Sequence, residues 1–180
     1  MKFIILLFIF VEIYGFNKNI NISKLSGCRE LRLDGTGNNL LSFPITSFIN
    51  NHANDNEKLR MKFYVIGYDF YFYFKYSETQ NHQFRACIEG MKRSTCKIQS
   101  YINEKKDLQV VNCENLTHDF YYTELTLIIA KNGVIQFYKK NENIPFLFAD
   151  ASFGFPLTHL SFDRYENETV DTRLFFDCPY

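Results

Sequence analysis

The chain has 180 residues, 20 basic and 20 acidic side chains and a formal net charge of zero. That balance argues against a nucleic-acid backbone or an anionic membrane surface as partner, both of which reward a basic face. With 20 Phe, 12 Tyr and no Trp, but only 8 Gly and 4 Pro, the composition is neither disordered nor fibrous and favours pleated, half-buried surfaces.

The first fifteen residues read as a secretory signal peptide. Lys2 supplies a basic start, Phe3 to Val11 is an unbroken apolar run, and Gly15 is small enough for cleavage. The run is too short to span a bilayer. The protein is therefore expected to be secreted and extracellular, with one globular domain after about Phe16. Residues 16–57 read as an N-terminal arm and first strands. Residues 58–178 read as the main body, with 28–57 part of the same globular unit.

Strand signals then follow in order. Arg29 to Leu33 alternates, and 34–39 (Asp-Gly-Thr-Gly-Asn-Asn) is a turn cluster. Leu40 to Ile49 carries Pro44, which places it at an edge or a bend. Leu59 to Ile66 is a strand ended by Gly67. In Phe70-Tyr71-Phe72-Tyr73-Phe74, period two puts the phenylalanines on one face and the tyrosines on the other. Such a strand is either central in a sandwich or the floor of a binding groove.

Phe84 to Glu89 and Thr95 to Tyr101 form the next pair, followed by Leu108 to Asn112. Glu124 to Ala130 and Val134 to Tyr138 flank Asn132-Gly133, which predicts a type I′ hairpin turn. Leu157 to Phe162 and Thr172 to Phe176 complete the strands. No amphipathic helix longer than about two turns is visible. The fold class expected is all-β, an antiparallel β-sandwich with a jelly-roll-like arrangement.

Cys28, Cys87, Cys96, Cys113 and Cys178 remain after cleavage and should mostly pair in an oxidising compartment. Cys28 with Cys178 would tie the chain ends together. A second bridge is expected from among Cys87, Cys96 and Cys113, leaving one thiol either buried or intermolecular. Sequons at Asn21, Asn115 and Asn167 lie in polar stretches and are candidate glycosylation sites.

The order of segments resembles the farnesoic acid O-methyltransferase-like domain over about residues 58–178. The resemblance is carried by Met61–Val65 leading into Asp69–Phe74, by Phe84–Gly90 with Ser94–Ile98, by Thr126–Ile135, by Pro145–Asp150 and by Leu157–Phe162. It implies an all-β sandwich of the kind found in secreted animal proteins. The family's name implies S-adenosylmethionine-dependent methylation of farnesoic acid. The family's tryptophans are replaced here by Leu, Ile and Phe.

Residues that would carry such chemistry are not evident. The 34–39 cluster lacks a third glycine and a following helix, so it reads as a turn rather than a cofactor loop. His52, His82, His118 and His159 have no metal-ligand spacing, and no GxSxG or HExxH occurs. Asp119, Glu124, Asp150 and Asp163 could form a carboxylate pair only if the fold brought two together. No metal or cofactor is expected.

Tyr64, Tyr71 and Tyr73 are the candidate ligand-binding residues, because tyrosine faces can stack on sugars while their hydroxyls make directional bonds. Core packing with rim hydroxyls is the competing role. The leading expectation is a non-catalytic extracellular recognition module for a glycan or protein ligand. The alternatives are the named methyltransferase, or a structural or venom-like protein acting through a protein interface.

Overall fold

The computed structural model describes residues 22–33, 41–67, 69–79, 81–89, 94–153, 156–164 and 171–180. Within them lie twelve strands: β1 (Arg29–Leu33), β2 (Ser42–Pro44), β3 (Glu57–Ile66), β4 (Phe70–Lys75), β5 (Phe84–Glu89), β6 (Thr95–Ser100), β7 (Lys106–Asn112), β8 (Thr123–Ala130), β9 (Val134–Lys139), β10 (Leu147–Asp150), β11 (His159–Arg164) and β12 (Thr172–Phe176). The helical elements among the described residues are two short 3-10 turns, Ile22–Leu25 and Ile45–Ser47. The predicted signal peptide, the 34–39 turn cluster, Asn21 and Asn167 lie outside the described residues.

Two six-stranded sheets form the sandwich. The first runs β1-β12-β3-β8-β9-β10 and the second β2-β11-β4-β5-β6-β7. All their pairings are antiparallel. The expected all-β sandwich is the fold observed.

The core lies where the two inner faces meet. Phe72 of β4 sits 5.1 Å from Phe63 of β3, 5.3 Å from Phe137 of β9 and 5.1 Å from Phe162 of β11, each edge to face. Rings from both sheets thus interlock. Each such pair contributes about 0.5–1.5 kcal/mol beyond the area it buries. Phe70, Phe72 and Phe74 are all fully buried in this cluster, as period two requires of one face of β4.

Both open sides of the sandwich are closed by side chains. On one, Gln109 of β7 accepts the backbone N–H of Phe148 on β10 at 2.5 Å, so an edge donor is not left free for another strand. On the other, Phe43 of β2 lies 5.2 Å from Phe176 of β12, and the Arg29 guanidinium covers both rings at 4.6 and 5.1 Å. β2 is an edge strand, as Pro44 requires, since proline has no N–H to donate.

The hairpin between β8 and β9 corrects the expected type I′ turn. Such a turn needs positive φ at two consecutive residues. Of the pair, Gly133 alone has it, at 94°. The loop spans three residues, 131–133, and the Gly133 N–H bonds the Ala130 carbonyl at 3.0 Å. This is the three-residue hairpin, a turn of ordinary hand closed by a left-handed glycine. A second constraint acts on Gly133: a Cβ there would lie 2.7 Å from Ser152 Cα.

Cys28 pairs with Cys178, and Cys96 with Cys113. The first bridge joins the segment before β1 to the segment after β12. The second links β6 to the turn that follows β7. Cys87 is free and fully buried, so of the two fates open to the odd thiol it takes the buried one.

Candidate functional site

The expected tyrosines separate onto two outer faces. Tyr64 alternates with the core residues Phe63 and Val65 on β3 and packs outside the first sheet with Phe175, Cys178 and Tyr122. Burial and the neighbouring Glu124 carboxylate push its hydroxyl up to about 12. Tyr71 and Tyr73 stand outside the second sheet with Cys87. A single groove lined by all three is therefore not formed. Both β4 tyrosines are also 7–8% exposed, too little to present open ring faces.

What the second sheet builds is a cross-strand row. Ser161 of β11 pairs with Tyr73 of β4, Tyr73 with Arg85 of β5, Arg85 with Gln99 of β6, and Gln99 with Asp107 of β7. The last pairing depends on a register shift between Ile98 and Gln99. That irregularity brings Asp107 opposite Gln99. Tyr71, Cys87 and Lys97 form the neighbouring row.

Arg85 is the hub. It is half-buried, its guanidinium lies 5.0 Å from the Tyr71 ring centre and 5.3 Å from that of Tyr101, and it interacts with the Tyr73 hydroxyl. Its Nε and Nη2 donate to Gln99 Oε1 at 3.2 and 2.8 Å. Tyr101 and Cys87 donate to the same oxygen at 3.3 and 3.6 Å. Gln99 Nε2 in turn donates to Asp107 at 2.6 Å, which fixes the amide's orientation.

His82 is wedged between Tyr73 and Tyr101, 4.7 and 4.5 Å from their ring centres. Burial, followed by the charges of Arg85 and Lys75, drives its pKa down to about 4. Burial also raises the Cys87 thiol to about 11 and, with Asp163, the Tyr73 hydroxyl to about 12. At neutral pH His82, Cys87 and Tyr73 are therefore uncharged. A thiol held there is a poor nucleophile, because the thiolate is the reactive form. The arrangement suits binding through Arg85 better than covalent chemistry.

Sequence reasoning found no metal-ligand spacing at His82 and passed over Arg85, Gln99 and Tyr101. Alternation along β5 and β6 does point Arg85 and Gln99 outward, but only the register of the hairpin makes them partners. Elsewhere, His118 packs on Tyr121 rather than forming a catalytic arrangement, with ring centres 3.8 Å apart. Asn115 is exposed in the turn after β7, with φ 58°, while Thr117 of its sequon is fully buried. A cleft of about 520 Å³ opens beside the β6–β7 loop, lined by Ile102, Leu108 and Phe153 together with Ser100, Asn103, Glu104 and Lys106.

Among the described residues, no group of three or more His, Cys, Asp or Glu side chains is placed to hold a metal ion. Nor is any helix there long and apolar enough to cross a membrane. S-adenosylmethionine bound in the nucleotide-fold manner needs a strand, a glycine turn and a helix whose N-terminus faces the cofactor. The described elements are antiparallel strands and two 3-10 turns, which do not fit that mode.

The molecule is thus a disulfide-linked antiparallel β-sandwich with a polar-aromatic cluster on one outer face. The profile of the farnesoic acid O-methyl transferase family matches residues 41–180, and the chain belongs to that family. The match begins at the threshold of β2 and takes in the whole of the second sheet. A search of curated proteins found no match.

Proposed function

We propose that the protein is a secreted, non-catalytic recognition module, and that its ligand, a glycan or another extracellular molecule, meets the outer face of the second sheet. The observation that carries this reading is the cluster around Arg85, where a half-buried guanidinium lies against both the buried Tyr71 ring and the half-buried Tyr101 ring, beside buried Tyr73. Aromatic faces beside fixed hydrogen-bonding groups are what carbohydrate and other amphipathic ligands require. The apolar leader and the two disulfides support secretion, and exposed Asn115 is the glycosylation site this reading favours.

The test is a glycan-array screen of the mature, disulfide-intact protein. Selective binding that is lost in Tyr101→Ala, with an unchanged melting temperature, supports the reading. Tyr101 is the better probe because Tyr71 and Tyr73 are buried, and truncating either would disturb packing. Absence of binding across the array would sink the carbohydrate form.

The family's description favours a second reading, methyl transfer to farnesoic acid. Calorimetric titration with S-adenosylmethionine decides it. No heat of binding and no methyl ester formed from farnesoic acid would remove it.

A further inference from the structure

Four donor contacts converge on Gln99 Oε1: two from Arg85, one from the Tyr101 hydroxyl and one from the Cys87 thiol. An amide oxygen has two lone pairs. That oxygen is therefore oversubscribed. The amide's orientation is fixed, because its nitrogen donates to Asp107 at 2.6 Å. The ion pairs among the described residues join Arg60 to Glu57, Lys140 to Glu124 and Arg173 to Glu30, and Arg85 is in none of them. Its guanidinium has five N–H donors, of which two go to Gln99 and another meets the Tyr73 hydroxyl, so donors remain for a ligand.

We propose that this surplus of donors reads an acidic sugar, with a uronate carboxylate accepting from the Arg85 guanidinium while the sugar ring lies against Tyr101. The inference rests on the recognition reading above and names its ligand class. A carboxylate accepts from the remaining guanidinium N–H groups, and its planar pair of oxygens matches the guanidinium fork better than a tetrahedral sulfate does. The cluster stands on the outside of a sheet rather than between layers. An extended polar ring with a charged handle suits such a face better than an apolar molecule that needs enclosure. Asp107 and Asp163 lie nearby, but Asp107 is held through Gln99, and Asp163 pairs across the strands with Tyr71 rather than with Arg85.

The experiment is a calorimetric titration of the mature protein with a uronate-containing oligosaccharide and with the same oligosaccharide after reduction of its carboxyl groups. The uronate form is expected to bind at least tenfold tighter, and Arg85→Gln is expected to abolish that preference. Since the first comparison uses the unaltered protein, it holds even if the variant folds poorly. Equal binding of the two forms would overturn the inference while leaving the recognition reading standing. So would a preference that survives Arg85→Gln. A sulfated, uronate-free oligosaccharide that binds as tightly as the uronate form would overturn the carboxylate assignment. No binding by any of them would remove both the inference and the carbohydrate reading beneath it.

Discussion

Asn50 donates its backbone N–H to Asp177 Oδ1 at 2.7 Å and its side-chain amide to the Asp177 carbonyl at 2.6 Å. Asp177 Oδ2 accepts the Ile49 N–H at 2.9 Å. One buried carboxylate therefore clamps the segment before β3 to the end of β12, next to the Cys28–Cys178 bridge. Asp177 does this from φ 52°, a left-handed conformation that Asp and Asn tolerate better than Ala.

Replacing Asp177 by Ala should cost about 3 kcal/mol, since two N–H groups lose their acceptor and Ala resists the left-handed backbone. Asp177→Asn keeps the conformation and one acceptor and should cost about 1 kcal/mol. Urea unfolding of the two variants checks the order. Equal losses would mean that the acceptor Asn retains and the backbone geometry contribute nothing.

Gly133→Ala should destabilise by about 2–3 kcal/mol, because it forces an L residue into positive φ and drives a methyl toward Ser152. Asn132→Ala should cost only a few tenths of a kcal/mol, through loss of the bond its side chain accepts from the Val134 N–H. A type I′ turn would make both positions costly. Thermal melts of the pair distinguish the two loops.

The bridges should contribute unequally. Cys28–Cys178 closes a separation of 150 residues and Cys96–Cys113 one of 17. Chain entropy then assigns about 5 kcal/mol to the first and about 3 kcal/mol to the second. Paired Cys→Ser variants, measured by denaturant midpoint, should lose stability in that order. The reverse order would place the main effect in native packing.

His82 should make the protein sensitive to mild acid. Its pKa is depressed to about 4 in the fold, against 6.5 when unperturbed. Between those values the unfolded chain binds more protons than the folded one. Stability is therefore whole above pH 6.5 and falls as pH drops toward 4. With a discount for a partly exposed ring, the loss is on the order of 1–2 kcal/mol. Arg85, Lys75, Tyr73 and Tyr101 face the ring, and none of them gains or loses charge in that window. Comparing urea midpoints of the wild type and His82→Gln from pH 7 to 4 isolates this effect from titrating carboxylates. Parallel pH curves would refute it.

Most strands were legible because their signal is local. The Phe/Tyr alternation of β4 announces its core face without any neighbour, and Pro44 announces an edge. β10 was harder. Leu147–Asp150 is four residues long with Phe148 48% exposed, too short for periodicity to separate it from a loop. β7 begins at Lys106, two residues ahead of its first apolar residue, because backbone pairing with β6 continues past the apolar pattern. The Asn-Gly dipeptide misled because it fits two turn types, and the three-residue length of the 131–133 loop separates them.

The candidate site was only half legible. Tyr71 and Tyr73 were singled out correctly as one face of β4, but Tyr64 was grouped with them although it belongs to the other sheet. Arg85, Gln99 and Asp107 belong to three strands and carry no shared motif.

The order of residues along the chain settles which side of its strand each side chain takes, since that alternation has a period of two and needs no partner. It thereby settled the all-β class and the phenylalanine core. Which strands become neighbours is a different matter. It depends on how two whole faces pack and on one register shift between Ile98 and Gln99, neither of which is encoded within any single strand. The row from Tyr73 through Arg85 and Gln99 to Asp107 exists only once those long-range pairings are made.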